Sequence, residues 1–309
     1  MLNKKLLALI TLTMLVISAL AVPVSAQSSN ELTVIGKLAI VEKTIYGASQ
    51  TGALVDRVNK LEHDIYGKET REAVLPRVDK LYTYAQETSQ ESPSLMTRLN
   101  AVEWMLTHSV SDSPIKTRIE NLEKVLNGSP STGPLEERLS KLLKVAYTEG
   151  QFEVAAATLP KDTLIKIKTL STLNSKQSRV GDTVALGVAE DVFIGGVLII
   201  PKGARGTGKV VKVEPSRNFG RDAKLEISFN NVAAADGSLV DTFLGEKAKE
   251  QTKSMAKAAG ASVAGMVIFG PVGIIGGAFV NGNDVSIPIG TQMYIQTKDN
   301  AEIYGIKVK

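Results

Sequence analysis

Residues Gly203 to Lys209 read Gly-Ala-Arg-Gly-Thr-Gly-Lys and carry the glycine and lysine spacing of a phosphate-binding loop. In such a loop backbone N–H groups cradle the phosphates, the lysine reaches them, and a following Ser or Thr holds magnesium. Here Val210 stands where the hydroxyl belongs, and Val-Val-Lys-Val-Glu continues as a strand instead of opening the helix that the motif needs. The match is one of spacing, not of chemistry. His63 and His108 have no third ligand beside them and read as surface residues rather than metal ligands. The chain has no cysteine, which removes disulfides, thiolate metal sites, cysteine nucleophiles and a lipid-modified N-terminal cysteine. Without a clustered Ser-His-Asp set or carboxylate pair, no catalytic residue and no cofactor is expected. Asp182, Glu190 and Asp191 are the first carboxylates to test should the fold assemble such a pair.

One basic position recurs. Lys37, Arg57, Arg77, Arg98, Arg118 and Arg138 follow one another at intervals of 20, 20, 21, 20 and 20 residues. Glu42, Glu62, Glu103 and Glu123 stand five residues after four of them, while Tyr82 and Leu143 hold that place in the third and sixth. A solvated or inter-helix salt bridge is the default reading of this row, worth tenths of a kcal/mol.

Around the row, Leu54, Val58, Leu61 and Ile65 fall four, three and four apart, as do Ile115, Ile119, Leu122 and Leu126. That spacing puts each set on one face of a helix. Pro93, Pro114 and Pro134 open three helices in the first turn, and Gly47, Gly67 and Gly128 close three in the left-handed conformation. A helix of about four turns cannot bury its stripe alone, so six ~20-residue repeats must stack. Residues 27–150 are thus expected to form an antiparallel helical array or bundle, or a segment that assembles with other chains.

Beyond Gly150 the period changes to short runs of branched residues, from Thr163 to Leu170, Thr183 to Val188, Val197 to Ile200, Lys209 to Glu214 and Lys224 to Phe229. Turn signals separate them, and strands resume at Gln292 and Glu302. Residues 151–309 read as an antiparallel β-sandwich or barrel. The fold class is α+β in two parts.

An insert interrupts this half. From Ala258 to Gly282 no residue is charged. Ala261 with Gly265, and Gly273 with Gly277, lie four apart and allow close helix approach, while Gly270-Pro271 would kink a span or turn a hairpin. Lys247, Lys249, Lys253 and Lys257 precede it and could face lipid headgroups or water. Three readings stand: membrane entry alone or in an oligomer, a helical hairpin packed on the sheet, or a glycine-rich cover for the β-domain. Ala261, Gly265, Gly270, Pro271, Gly273 and Gly277 are the candidate membrane or oligomer contacts.

At the N-terminus Lys4 and Lys5 precede an apolar run from Leu6 to Val22, and Val24-Ser25-Ala26 supplies small residues for a cut before Gln27. This is the pattern of a secretory signal over residues 1–26, the alternative being an uncleaved anchor. The mature halves carry net charges of −2 (27–150) and +4 (151–309), with few aromatic residues, so nucleic acid is not an expected partner.

Several turns of the second half, Leu173-Asn174-Ser175, Val180-Gly181-Asp182, Ile200-Pro201-Lys202-Gly203, Asp236-Gly237 and Ile287-Pro288-Ile289-Gly290-Thr291, come in an order that resembles the periplasmic β-domain of TrbI-type conjugative type IV secretion channel proteins. Leu159-Pro160, Asp191-Val192, Gly208 and Lys298-Asp299 fit the same order. The resemblance implies a β-domain whose late helical insert reaches the outer membrane, and 258–282 holds a comparable place. The six repeats stand where that family has a cytoplasmic segment, an inner-membrane anchor and a proline-rich linker. Together these readings point to an exported, non-catalytic protein of the periplasm or envelope. Its expected partners are envelope proteins, other copies of itself, or a membrane met through the insert. A secretion-channel or outer-membrane pore subunit and an envelope glycan-binding protein or hydrolase are the alternatives.

Overall fold

The computed structural model describes residues 32–214, 223–258, 266–269, 274–277 and 286–308, and of the strands at 266–269 and 274–277 the backbone alone. Six helices come first: α1 (Val34–Tyr46), α2 (Leu54–Tyr66), α3 (Val74–Gln86), α4 (Leu95–Thr107), α5 (Ile115–Asn127) and α6 (Leu135–Ala146). Their apolar stripes meet in one core containing Leu38, Ile45, Leu61, Ile65, Leu99 and Ile119. Gly47, Gly67 and Gly128 take positive φ after their helices, and His108 takes the same conformation, with φ 50°, at the equivalent place after α4. Pro114 and Pro134 sit one residue earlier than expected, at the N-cap itself, and Ser94 caps α4 after Pro93. The stripe fails at one point. Leu126 is 39% exposed although it is in phase with Ile115, Ile119 and Leu122.

The basic row forms inter-helix salt bridges, and four of them are largely buried instead of solvated. Each glutamate of one repeat takes a two-pronged bond from the arginine of the next: Glu42 from Arg57, Glu62 from Arg77, Glu103 from Arg118 and Glu123 from Arg138, at 2.6–3.1 Å. The same carboxylates accept the backbone N–H of Gln50, Thr70, Ser111 and Ser131, eight residues on, in the loop to the next helix. One ion pair therefore fixes a helix, its neighbour and the loop between them. Burial of Glu62 raises its carboxyl pKa, but the bonds from Arg77 and Thr70 outweigh this and hold it below the ordinary value. Glu123 is held down in the same way by Arg138 and Ser131. Where Tyr82 replaces the glutamate the chain of pairs breaks, and Arg98 turns instead to Glu136 of α6. Lys37, which has no preceding repeat among the described helices, likewise reaches a helix two further on, at Asp79 of α3.

The strands follow: β1 (Val154–Leu159), β2 (Leu164–Thr169), β3 (Leu173–Asn174), β4 (Thr183–Val188), β5 (Val192–Ile194), β6 (Val197–Ile200), β7 (Arg205–Glu214), β8 (Lys224–Ala233), β9 (Leu239–Phe243), β10 (Met266–Phe269), β11 (Ile274–Gly277), β12 (Ser286–Ile287), β13 (Gln292–Thr297) and β14 (Ala301–Lys307), with α7 (Glu246–Ala258) after β9. The order β8-β7-β4-β2-β13-β9 returns to β8, closing a six-stranded antiparallel barrel. A second sheet, β1-β14-β6-β5, shares its core, in which Ile165, Val184, Ile200, Leu225 and Ile295 are buried.

Helices and barrel are joined through α4. Ala101, Trp104 and Val110 enter the β core. Asn100 donates to the Ala235 carbonyl at 2.9 Å, the Trp104 indole to Asp191 at 3.0 Å, and the Val110 N–H to the Lys202 carbonyl at 2.7 Å. Gly203, first residue of the phosphate-loop look-alike, has a positive φ, and a Cβ there would strike the Val110 carbonyl. Gly208 is also crowded, with the carbonyl of Ser228 on the adjacent strand 2.5 Å from where its Cβ would be. The glycines of this motif serve close packing between backbones.

Candidate docking site

The barrel seam is where the insert departs. β13 meets β9 through only two residue pairs, Gln296 with Phe243 and Thr297 with Thr242. Further along that edge α7 takes over the role of a strand. Its Ala248 N–H donates to Gln296 Oε1 at 3.1 Å, and its Thr252 Oγ1 accepts the Tyr294 N–H at 2.9 Å. Ala248 and Thr252 are small enough to bring the helix this close, and a Cβ on Gly245 just before it would strike Gln296. Lys247, Lys253 and Lys257 are exposed on the outer face of α7. Lys249 departs from the expectation that all four lysines face lipid or water, for it is buried and bonds Glu246 at 2.7 Å.

After α7 the expected helical insert is corrected at both places where the backbone is described. Met266–Phe269 and Ile274–Gly277 pair as antiparallel strands, Met266 opposite Gly277 and Phe269 opposite Ile274. Branched residues favour extended backbone, and glycine costs a helix about 1 kcal/mol, which explains the outcome. β11 then pairs with β8 at Ile274 and Glu226. β8 is thereby divided. Its second half, Asn231–Ala233, closes the barrel on β9, while its first half carries the hairpin. Of the candidate contacts, Gly277 lies in β11. Ala261, Gly265, Gly270, Pro271 and Gly273 lie outside the described residues. Among the described residues no helix is long and apolar enough to cross a membrane.

The arm bearing the hairpin is charged on its exposed side. Lys212 bonds Glu214 at 2.9 Å and lies 3.5 Å from Glu226, and Lys224 lies 3.6 Å from Glu214. The bond to Glu214 raises the Lys212 pKa, and the same bond lowers that of Glu214.

The three carboxylates singled out for acid–base work are not brought together. Asp182 accepts the Arg179 N–H within its own turn, Glu190 pairs with Lys166, and Asp191 holds Trp104 and the Lys202 N–H. His63 lines a polar cavity of about 490 Å³ with Asp64, Lys116 and Glu120, and His108 stacks edge-on to Trp104. Among the described residues no group of three or more His, Asp or Glu could hold a metal ion.

No family model matches this chain, and no curated protein matches it. Among solved structures it is similar to ComB10 of the Com type IV secretion system of Helicobacter pylori, with 16% identity over 46% of this chain and 88% of that chain. The TM-score is 0.26, a superposition too loose to carry over a role or a partner.

Proposed function

We propose that the protein is a non-catalytic part of the cell envelope, in which helices and barrel pack as one compact unit and the uncharged insert docks to a membrane or an envelope partner. The observation that carries this reading is the uncharged run from Ala258 to Gly282, which follows the exposed lysines of α7 and rejoins the barrel beside Glu226. Uncharged chain of that length is costly to leave in water, and lysines beside it suit a headgroup region. The leader-like residues 1–26 and the absence of cysteine accord with an exported protein attached through its folded part. Fractionation of cells making the full chain, beside a version lacking residues 258–282, tests this. The full chain is expected with the membranes and the shortened one in the soluble fraction; equal distribution of the two overturns the reading.

The alternative of a pore subunit is supported by the order of turns in the second half. It requires several copies to surround a channel, since the barrel of one chain is filled by its own side chains.

A further inference from the structure

Within the bundle, the end of a helix is covered by the start of the fourth helix after it. Pro114 at the start of α5 sits on Gly47 at the end of α1, with 2.7 Å between its Cγ and where a glycine Cβ would be. Pro134 at the start of α6 sits on Gly67 at the end of α2 in the same way, at 2.6 Å. Beneath these contacts Ile45 and Ile65 are fully buried. The position two before the recurrent basic residue faces this kind of junction. At α5 it is Lys116 and at α6 Glu136, and seven after the basic residue the covered helices carry Thr44 in α1 and Asp64 in α2.

The helices of the bundle end at α6, so α5 has no fourth successor. At Gly128 nothing lies within 4 Å of where a Cβ would be, and Leu126, equivalent to Ile45 and Ile65, is 39% exposed. The position of Asp64 is filled by Val125 in α5 and Val145 in α6, 82% and 60% exposed. At the other end of the array, the position of Lys116 is filled by Ile35, Val55 and Leu75 in α1, α2 and α3, all exposed. In α4 the same position is Met96, which packs against Gly237 of the β-domain, so this position does serve as a docking point. The covered junctions are thus polar on both sides, and the two uncovered faces are apolar. Repeat arrays that stay single carry polar outer faces on their end repeats.

We propose that a second copy of this chain covers these faces, head to tail. Val125, Leu126 and Val145 of one copy receive the helix starts bearing Ile35, Val55 and Leu75 of the next, repeating the contact that α5 makes on α1. Such a contact joins unlike surfaces, so it leads to a ring or an open row of molecules. The proposal is independent of what the insert does.

The test is light scattering on the full chain over a range of concentration, with Val125→Glu and Ile35→Glu as variants and circular dichroism to check their helices. The wild type is expected to grow past the dimer, and each variant alone to stay a monomer. Mixed one to one, the variants are expected to form a dimer and stop, because one intact face of each kind remains. A wild type that stays monomeric, a Val125→Glu chain that keeps the wild-type mass, or a mixture that stays monomeric overturns the proposal. The second result would place self-association at the insert, and the third at a contact between like faces.

Discussion

The helical and strand halves treat charge in opposite ways. In the helices seven arginine and glutamate residues of the recurrent pairs are buried inside the bundle, whereas in the strand half charge stays largely at the surface and the core is apolar. The difference follows from where each half gets its register. Strands are held residue by residue through backbone ladders, so the barrel needs side chains only to fill it. Helices satisfy their backbones internally and slide easily past one another. Here a carboxylate holding two arginine N–H groups and a loop N–H sets the helix spacing. Buried ion pairs add little net stability compared with apolar packing, but losing one partner is costly.

The sharpest way to break this contrast is to remove one arginine. Arg77→Ala leaves Glu62 buried and charged, and a loss of about 3–5 kcal/mol in urea unfolding followed by circular dichroism is expected. Lys80→Ala, which frees the exposed Glu72, should cost less than about 1 kcal/mol on the same assay. Similar costs for the two would mean that burial does not govern the row.

A second change acts where the halves meet. Gly203→Ala puts a methyl into the Val110 carbonyl, and about 1–3 kcal/mol of strain is expected, more if the positive φ is also resisted. Trp104 is the only tryptophan and is 6% exposed at this junction. Its emission should shift to the red in the variant before either half unfolds; an unchanged spectrum would mean that the halves do not part there.

The smallest effect is that of acid. Glu62 and Glu123 have folded pKa values below the ordinary carboxylate value, so the stability they contribute is present above that value. It is lost as pH falls from about 4.5 through the folded values. Helical signal should weaken in this window before strand signal does, and Arg77→Ala should flatten the Glu62 share. Loss of both signals together would join the halves into one acid transition.

Much of the architecture was legible because both halves are periodic. The six helices follow from the 20-residue spacing and the apolar stripes, and strands such as Thr183–Val188 from branched residues between turns. The Arg–Glu pairing was half visible. Glutamate at a fixed offset could be read, but its partner lies 15 residues away across a loop, and burial cannot be read from spacing. Tyr82 was a usable signal, since it falls in the repeat before the single 21-residue interval. Alanine-rich β1 carried little β preference and was missed. The insert misled for a related reason: glycines four apart suit close helices, yet the Met-Val-Ile-Phe and Ile-Ile between them favour strands. Gly203 and Gly208 looked like phosphate chemistry because a crowded backbone and an anion-binding loop both select glycine.

The split of β8 has a mechanical consequence. The excursion between β9 and β13 is held at three places among the described residues: a helix bound at the seam by two hydrogen bonds, a hairpin joined to β8 at one residue pair, and β12 joined to β3 at two. The single Ile274–Glu226 rung is the weakest of the three, so a pull on the insert is expected to open it first. The hairpin yields as a fuse would, and α7 and β12 take up the load as stops on either side, so the barrel wall feels a pull on the insert last.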